Sequence, residues 1–468
     1  MSSSSQGPDS ETFSILAAEN HDNNTKEPLQ ERRAINKLNW HLTTLCGGII
    51  LLSYMDRGNV GYAASEMCRD LDLSHSEYGI GTSIFYSGYI LSQLGSNVML
   101  KRFGASIWLP FILFSWGCAA ALMSLVQRPA HFFMLRVLLG VTEGGTFPGV
   151  WYYLTLFYPD RHLGEPYAIT VAALAFAMPL SAPLGAGLLS LDGLFGMPGW
   201  RILFFVEGML PILYAIFLFK NLPDSIEHAK FLTPAEKRLL QSELDQRELP
   251  SGDRNVLDEV LETIRNAKFW LMTVGSGLFN GSLMILMYWM TLIVQDMLNG
   301  SDDTKKDRGT CASSGGSALP IILTAIPDGI AGVICLLFGR HQAKIRNKPL
   351  LTGGIYMFSA LCLLSWVFTR HVSFVCGFLS LTAAVMFTKV SGSFIVSSTA
   401  TLFDQSMRST VVAVFNSISS LGSFFLPMLM GHILDAHGYS AAICMTAVAM
   451  GLASCCLFAV RDSRSSPT

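Results

Sequence analysis

The chain has 468 residues, of which 51% are hydrophobic and 14% charged, with a mean hydropathy of +0.42 and a formal net charge of −2. A soluble protein carries roughly 25% charged residues, so a water-soluble domain is excluded, and the near-neutral balance gives no indication of nucleic acid as a partner. Apolar runs of the about 20 residues needed to cross a bilayer recur along almost the whole length, which is the pattern of a polytopic membrane protein.

Residues 1–37 form a polar tail rich in Ser, Asn and Glu, and read as a disordered cytosolic segment. It has neither the short apolar core of a secretory signal nor the acid-poor composition of a transit peptide. Six apolar spans follow, at about 40–64, 78–100, 105–126, 131–158, 166–190 and 200–220, making an N-terminal bundle over 38–221. The hydrophilic segment 222–267 then intervenes as a linker. Thr233 before Pro234, with Glu236 beyond, is an N-cap followed by Pro at the first helical position, and predicts an amphipathic surface helix. Six more spans, at about 268–295, 317–339, 349–369, 373–399, 408–431 and 438–460, make a C-terminal bundle over 268–460, and 461–468 is a short cytosolic tail. The fold class is all-α, with twelve transmembrane helices in two pseudo-symmetric six-helix bundles.

Of the 32 Lys and Arg residues, 22 fall on the side that holds both termini and the linker, and 7 on the other. The positive-inside rule makes the first side cytosolic. Trp40, Trp108, Trp200, Trp270 and Trp366 stand at span ends, as an interfacial aromatic belt would. Cys68 and Cys311 fall in far-side loops of opposite halves; a bond between them would hinder rocking of the halves, so free thiols are expected. The other cysteines sit in apolar spans without metal spacing, and neither a metal nor a cofactor is expected. No nucleophile–base pair appears in the spans, so the chain is not read as an enzyme.

A charge at a span centre costs roughly 2.5–3.5 kcal/mol on insertion scales, and such residues face a cavity or one another. Asp56, Arg57, Arg136, Glu143 and Lys389 incur that cost, as does Asp328. Arg136 and Glu143 are seven apart, so they project from one face of the fourth span about 10 Å apart. Gly140, Gly144, Gly145 and Gly149 around them form small-xxx-small pairs that admit a neighbouring helix. Asp56 and Arg57 differ by about 100° around the first span and cannot both point the same way.

DRGNVGYA in the first span, SNVMLKRFG between the second and third, RVLLGVTEGGTFPG in the fourth and GWRILFFVEG into the sixth resemble the anion:cation symporter family of the major facilitator superfamily. LPDSIEHAKFLTPAEKRLL, opening the linker, looks like the allantoate-permease-like branch, which is related to phthalate permeases. The likeness covers nearly all of the first half and fades in the second, where NSISSLG (Asn416 to Gly422) is similar to bacterial and animal members. The resemblance implies the major facilitator fold and symport of a small organic anion with protons by alternating access, in a monomer surrounded by the lipid bilayer. It makes Arg57 the carboxylate clamp and Asp56 and Glu143 the proton carriers, and it matches Arg136 to the family's arginine in that span. Tyr62, Tyr86 and Tyr89 are candidate cavity residues, and so is Asn416. Lys389 either supplies a second positive charge for the substrate or pairs with Asp328.

The sequence departs from the family in two places. Met99 stands near the usual acid after the second span, and the seventh span lacks the arginine of some anion carriers. The alternatives are a non-transporting nutrient receptor on the same scaffold, a sodium- or potential-driven carrier, and an endomembrane exporter. The plasma membrane is the default location, with vacuolar or lysosomal membrane as the alternative.

Overall fold

The computed structural model describes residues 30–245, 256–300, 311, 318–339, 348–402 and 408–460. Among these residues there is no strand. That follows from the solvent: within hydrocarbon every backbone N–H and C=O must be satisfied inside its own segment, which a helix alone achieves for a single pass.

The helices of the first half are α1 (Thr44–Leu71), α2 (His75–Phe103), α3 (Ala105–Leu122), α4 (Pro129–Glu143), α5 (Thr146–Thr155), α6 (Gly164–Leu189) and α7 (Gly199–Asn221). The linker carries α8 (Pro234–Asp245) and α9 (Val256–Arg265). The second half holds α10 (Ala267–Asn299), α11 (Ala318–Gly339), α12 (Lys348–Thr369), α13 (Phe374–Leu402) and α14 (Arg408–Ala459). Helices α4 and α5 are one pass interrupted at Gly144 and Gly145, and α14 is two passes that turn at Gly438. There φ is +81°, a value that glycine adopts without a Cβ penalty. The described residues thus make twelve passes, six in each half. Among the described residues, eight helices are by themselves long and apolar enough to cross a membrane; α1, with Asp56, Arg57, Glu66, Arg69 and Asp70 along it, is not among them.

Each half is drawn together by glycines at helix crossings. A Cβ on Gly140 of α4 would stand 2.0 Å from the Phe85 carbonyl of α2, and one on Gly422 of α14 1.8 Å from the Gly277 carbonyl of α10. The neighbour admitted by the small residues of the fourth span is therefore α2. Large apolar side chains such as Leu91, Phe205, Leu213, Phe368 and Val372 remain exposed on the outside. That belt would be a liability in water and is the expected surface against lipid tails.

Two of the five belt tryptophans depart from expectation. Trp40 and Trp270 are exposed, but Trp200 and Trp366 are fully buried. Their indole N–H groups point to Asp70 and to the Met297 sulfur, partners that an interior position provides.

The linker is fastened to the first half. Thr233 and Glu236 exchange capping hydrogen bonds at the start of α8, and Lys37 donates to both Glu236 oxygens at 2.8 Å. Burial acts to raise the Glu236 pKa, but Lys37 and the Thr233 amide outweigh it and hold the carboxyl below its usual range. Arg161 adds ion pairs to Glu31 and Glu243 on the same side.

On the opposite, far side the halves meet. The Tyr78 hydroxyl of α2 reaches the carbonyls of Val60 (3.1 Å) and, across the divide, Tyr288 (2.9 Å). His75 Nδ1 lies 2.9 Å from Asp435, which also accepts from the Ser76 amide. A Cβ on Gly61 of α1 would meet the Met287 carbonyl of α10 at 2.8 Å, so the two helices touch backbone to backbone.

Cys68 and Cys311, expected as free thiols, instead form a disulfide, with Cα atoms 5.5 Å apart. The Cys311 amide donates to the Leu73 carbonyl beside it. The expectation treated the bond as a clamp on rigid halves. Cys311, however, lies outside any helix, so the bond does not join two helix ends. The chain-entropy model gives about 5 kcal/mol for a closed loop of this size, which the membrane reduces by restricting the unfolded chain. Cys68→Ser is therefore expected to lower the thermal midpoint by several degrees in detergent, and a cross-linked Cys68–Cys311 peptide to appear in non-reducing digests of the wild type. A wild type with both thiols open to alkylation would exclude the bond.

Candidate functional site

Helix α1 presents two polar faces. Ser53 and Arg57, one turn apart, point toward α2 and α4, whereas Asp56, Asn59 and Tyr62, spaced by three, turn toward α6 and α7. The first face makes the principal contact of the site. Arg57 Nη2 and Nε lie 2.8 and 2.9 Å from Oε1 of Glu143, and the Ser53 hydroxyl donates to the same oxygen. Arg57 is 4% exposed and Glu143 0%, so both charges are out of water and each needs the other. Breaking such a pair from one side costs about 3–5 kcal/mol, because a buried charge is left unpaired.

Aromatic rings complete the cage. The Arg57 guanidinium carbon stands 4.9 Å from the Tyr89 ring centroid, 5.1 Å from Phe85, 5.3 Å from Tyr54 and 5.8 Å from Phe147. Ring faces attract a desolvated cation by about 2 kcal/mol or more, which adds to the hold of the carboxylate but does not replace it. All the hydrogen bonds to Glu143 fall on Oε1; Oε2 is buried and has no partner among the described residues.

Arg136 does not orient Glu143. It is 1% exposed and donates from Nε and Nη2 to the carbonyls of Gly81 and Thr82, at 3.2 Å each. Its guanidinium carbon lies 4.8 Å from the Phe85 ring and 5.8 Å from that of Tyr288, so Phe85 is flanked by both arginines. Asp56 is buried, makes no hydrogen bond or ion pair among the described residues, and has Glu143, Arg136 and Arg57 as its charged neighbours.

The remaining candidates are dispersed. Tyr62 points its hydroxyl at the Met178 sulfur (3.6 Å) and lies near Glu207 and Asp328, outside the Arg57 cage. The Tyr86 hydroxyl faces Met284 of the second half. Asn416 is exposed near the start of the last long helix. Lys389 Nζ and Asp328 Oδ1 are 2.6 Å apart, joining α13 to α11.

The pair gives a clean experiment. Asp328→Asn or Lys389→Met alone is expected to reduce thermal stability, and the double change to recover most of the loss, since unlike partners removed together leave no orphaned charge. Loss of uptake by Lys389→Met at unchanged stability would instead place Lys389 on the substrate.

Sequence reasoning missed three residues here. Ser53 carries no signal of its own. Glu207 and Asn59 do: Glu207 is an acid within the apolar run of α7, and it is 4% exposed; Asn59 is fully buried beside it. The rule that singled out Asp56 applies to Glu207 as well. Among the described residues no group of three His, Cys, Asp or Glu side chains could hold a metal ion.

Residues 46–401 match the family model of the Major Facilitator Superfamily. A quinolone resistance transporter of Acinetobacter baumannii is 29% identical, over 88% of this chain and 91% of its own. A putative tartrate transporter of Agrobacterium vitis is 28% identical, over 87% and 86% respectively. Among solved structures, a bacterial homologue of the human lysosomal transporter Spinster, inward-facing and unoccupied, aligns with a TM-score of 0.71 over 93% of this chain and 99% of its own, at 16% identity. The D-xylose–proton symporter aligns with a TM-score of 0.68 over 90% and 97%, at 15% identity. The two structures share the fold.

Proposed function

Because this chain belongs to the Major Facilitator Superfamily, and so is a membrane transporter of small molecules and not an enzyme, we propose that it carries a small organic carboxylate by proton symport with alternating access. The observation behind this reading is the buried Arg57–Glu143 pair. Arg57 offers a planar fork suited to a carboxylate, but Glu143 already occupies it. A substrate anion and Glu143 compete for one guanidinium. Protonation of Glu143 at Oε2 removes its charge, loosens its hold and frees Arg57 for the substrate. Proton and anion then enter together, and the loaded site holds no more net charge than the empty one. Such a site can be closed off from water on either side.

The motifs of the first half support placement in the anion:cation symporter branch, and the relative named for tartrate, an organic anion, supports the substrate class. The excess of Lys and Arg on the linker side supports cytosolic termini. The disulfide supports the same orientation, since such bonds persist in oxidising surroundings outside the cytosol. With the far side sealed by Tyr78, His75 and Asp435, the substrate leaves toward the linker side from this conformation.

The test is counterflow of labelled small carboxylates in proteoliposomes at acid and neutral pH. Exchange of at least one carboxylate is expected, together with net uptake that an inward proton gradient drives and a protonophore abolishes. Uptake that needs sodium and ignores pH would replace the coupling ion. Saturable binding without exchange would make the protein a receptor.

A further inference from the structure

We propose that Glu207 is a second proton-binding group of this transporter, loaded with a proton in the present conformation and served by Asn59. The proposal extends the proton-coupled reading above. Among the described residues, five acidic or basic side chains are buried within the spans of the first half: Asp56, Glu143 and Glu207 against Arg57 and Arg136. With all five charged, the half holds one negative charge too many. Glu143 has Arg57, and Arg136 stands in the charge neighbourhood of Asp56. Glu207 has neither.

Its surroundings are specific. The α1 face turned toward Glu207 offers Asn59 and another acid, Asp56, with Tyr62 a turn further on. From α3, the helix packed against the next residue, come Gly117 and Ala121. Around Tyr62 the further groups are Ser181 of α6 and the Asp328 carboxylate, which Lys389 already pairs. No Lys, Arg or His among the described residues reaches Glu207. A buried carboxylate without a counter-charge takes up a proton rather than remain ionised.

Asn59 argues for exchange of that proton. Its amide is fully buried and close enough to Glu207 to share a hydrogen bond with it, while among the described residues neither its nitrogen nor its oxygen makes one of standard geometry; one Glu207 oxygen is equally bare. An amide can accept from a carboxylic acid O–H through its oxygen and donate to a carboxylate through its nitrogen. Asn59 thus suits both states of Glu207, as a group meant only to stay neutral would not require. Asp56, on the same α1 face, has both Glu143 and Glu207 within electrostatic reach and couples the two sites.

The experiment is infrared spectroscopy of the purified, substrate-free full-length protein at neutral pH, joined to the proton-to-anion ratio in proteoliposomes. A deuterium-sensitive C=O band of a protonated carboxyl is expected in the wild type. Glu207→Gln should remove one component of it, and Asn59→Ala should shift that same component, so the assignment survives poor folding of either variant. The number of protons carried per anion should fall by one in Glu207→Gln. A spectrum unchanged by both variants, or a ratio unchanged in Glu207→Gln, would overturn the proposal. Absence of any proton-driven uptake in the wild type strikes the symport reading instead, and leaves the infrared assignment to stand or fall separately.

Discussion

Arg57→Ala is expected to abolish uptake of every anion substrate, with counterflow lost along with net transport. Truncating one member of a desolvated charge-assisted contact costs about 2–5 kcal/mol, which weakens binding by well over tenfold. The buried geometry places Arg57 at the upper end of that range, since water cannot replace the lost donors at a residue 4% exposed. A confounding effect has to be separated. Removing Arg57 also strands Glu143, so the single variant loses stability for a reason unrelated to substrate. Arg57→Ala combined with Glu143→Gln removes that orphaned charge and should recover the thermal midpoint, yet remain inactive. Arg57→Lys should retain the midpoint in part and transport poorly, because a point charge cannot offer two parallel donors to a carboxylate. Measured uptake near the wild-type level in the stable double variant would remove Arg57 from the substrate site.

The residues of this site were legible in the sequence, but their partnerships were not. Asp56, Arg57 and Glu143 stand out because hydrocarbon makes any charge conspicuous, and the interleaved glycines of the fourth span announce a close neighbour. Which arginine meets Glu143 depends on how α1 and α4 are rotated against each other. Spacing along α4 puts Arg136 and Glu143 on one face; the fold brings Arg57 to Glu143 from another helix, and α2 takes up Arg136 with its carbonyls. Trp200 and Trp366 show the same limit, because a position near a span end says nothing about which way a side chain faces. The disulfide turns on mechanics that a sequence does not carry: a bond between rigid halves would stop them rocking, but Cys311 stands outside the helices. Glu207 is different in kind. Its signal is present in the sequence, an acid within the apolar run of α7.

Glu143→Gln is expected to separate exchange from net transport. Glutamine has the shape of protonated glutamic acid, and its side-chain oxygen can still accept from Arg57 and Ser53 at the Oε1 position. What it lacks is the charge that neutralises Arg57 when the carrier is empty. With substrate bound, the guanidinium has its anion, and the loaded carrier can cross in either direction, so counterflow continues. Without substrate, the cation is left unpaired in a dry cage of Tyr54, Phe85, Tyr89 and Phe147, and rings worth about 2 kcal/mol do not offset that burial. The empty carrier therefore fails to reset, and net uptake stops. The same reasoning fixes the sign of the pH effect. On the proposed competition, acid is expected to favour anion binding in the wild type by displacing Glu143 from Arg57, by up to tenfold per pH unit for each proton taken up. In Glu143→Gln the Glu143 share of that slope should vanish, leaving binding tight at neutral pH. Acid-driven net uptake of normal size by Glu143→Gln would show that the proton travels elsewhere, and the competition for Arg57 would no longer account for coupling.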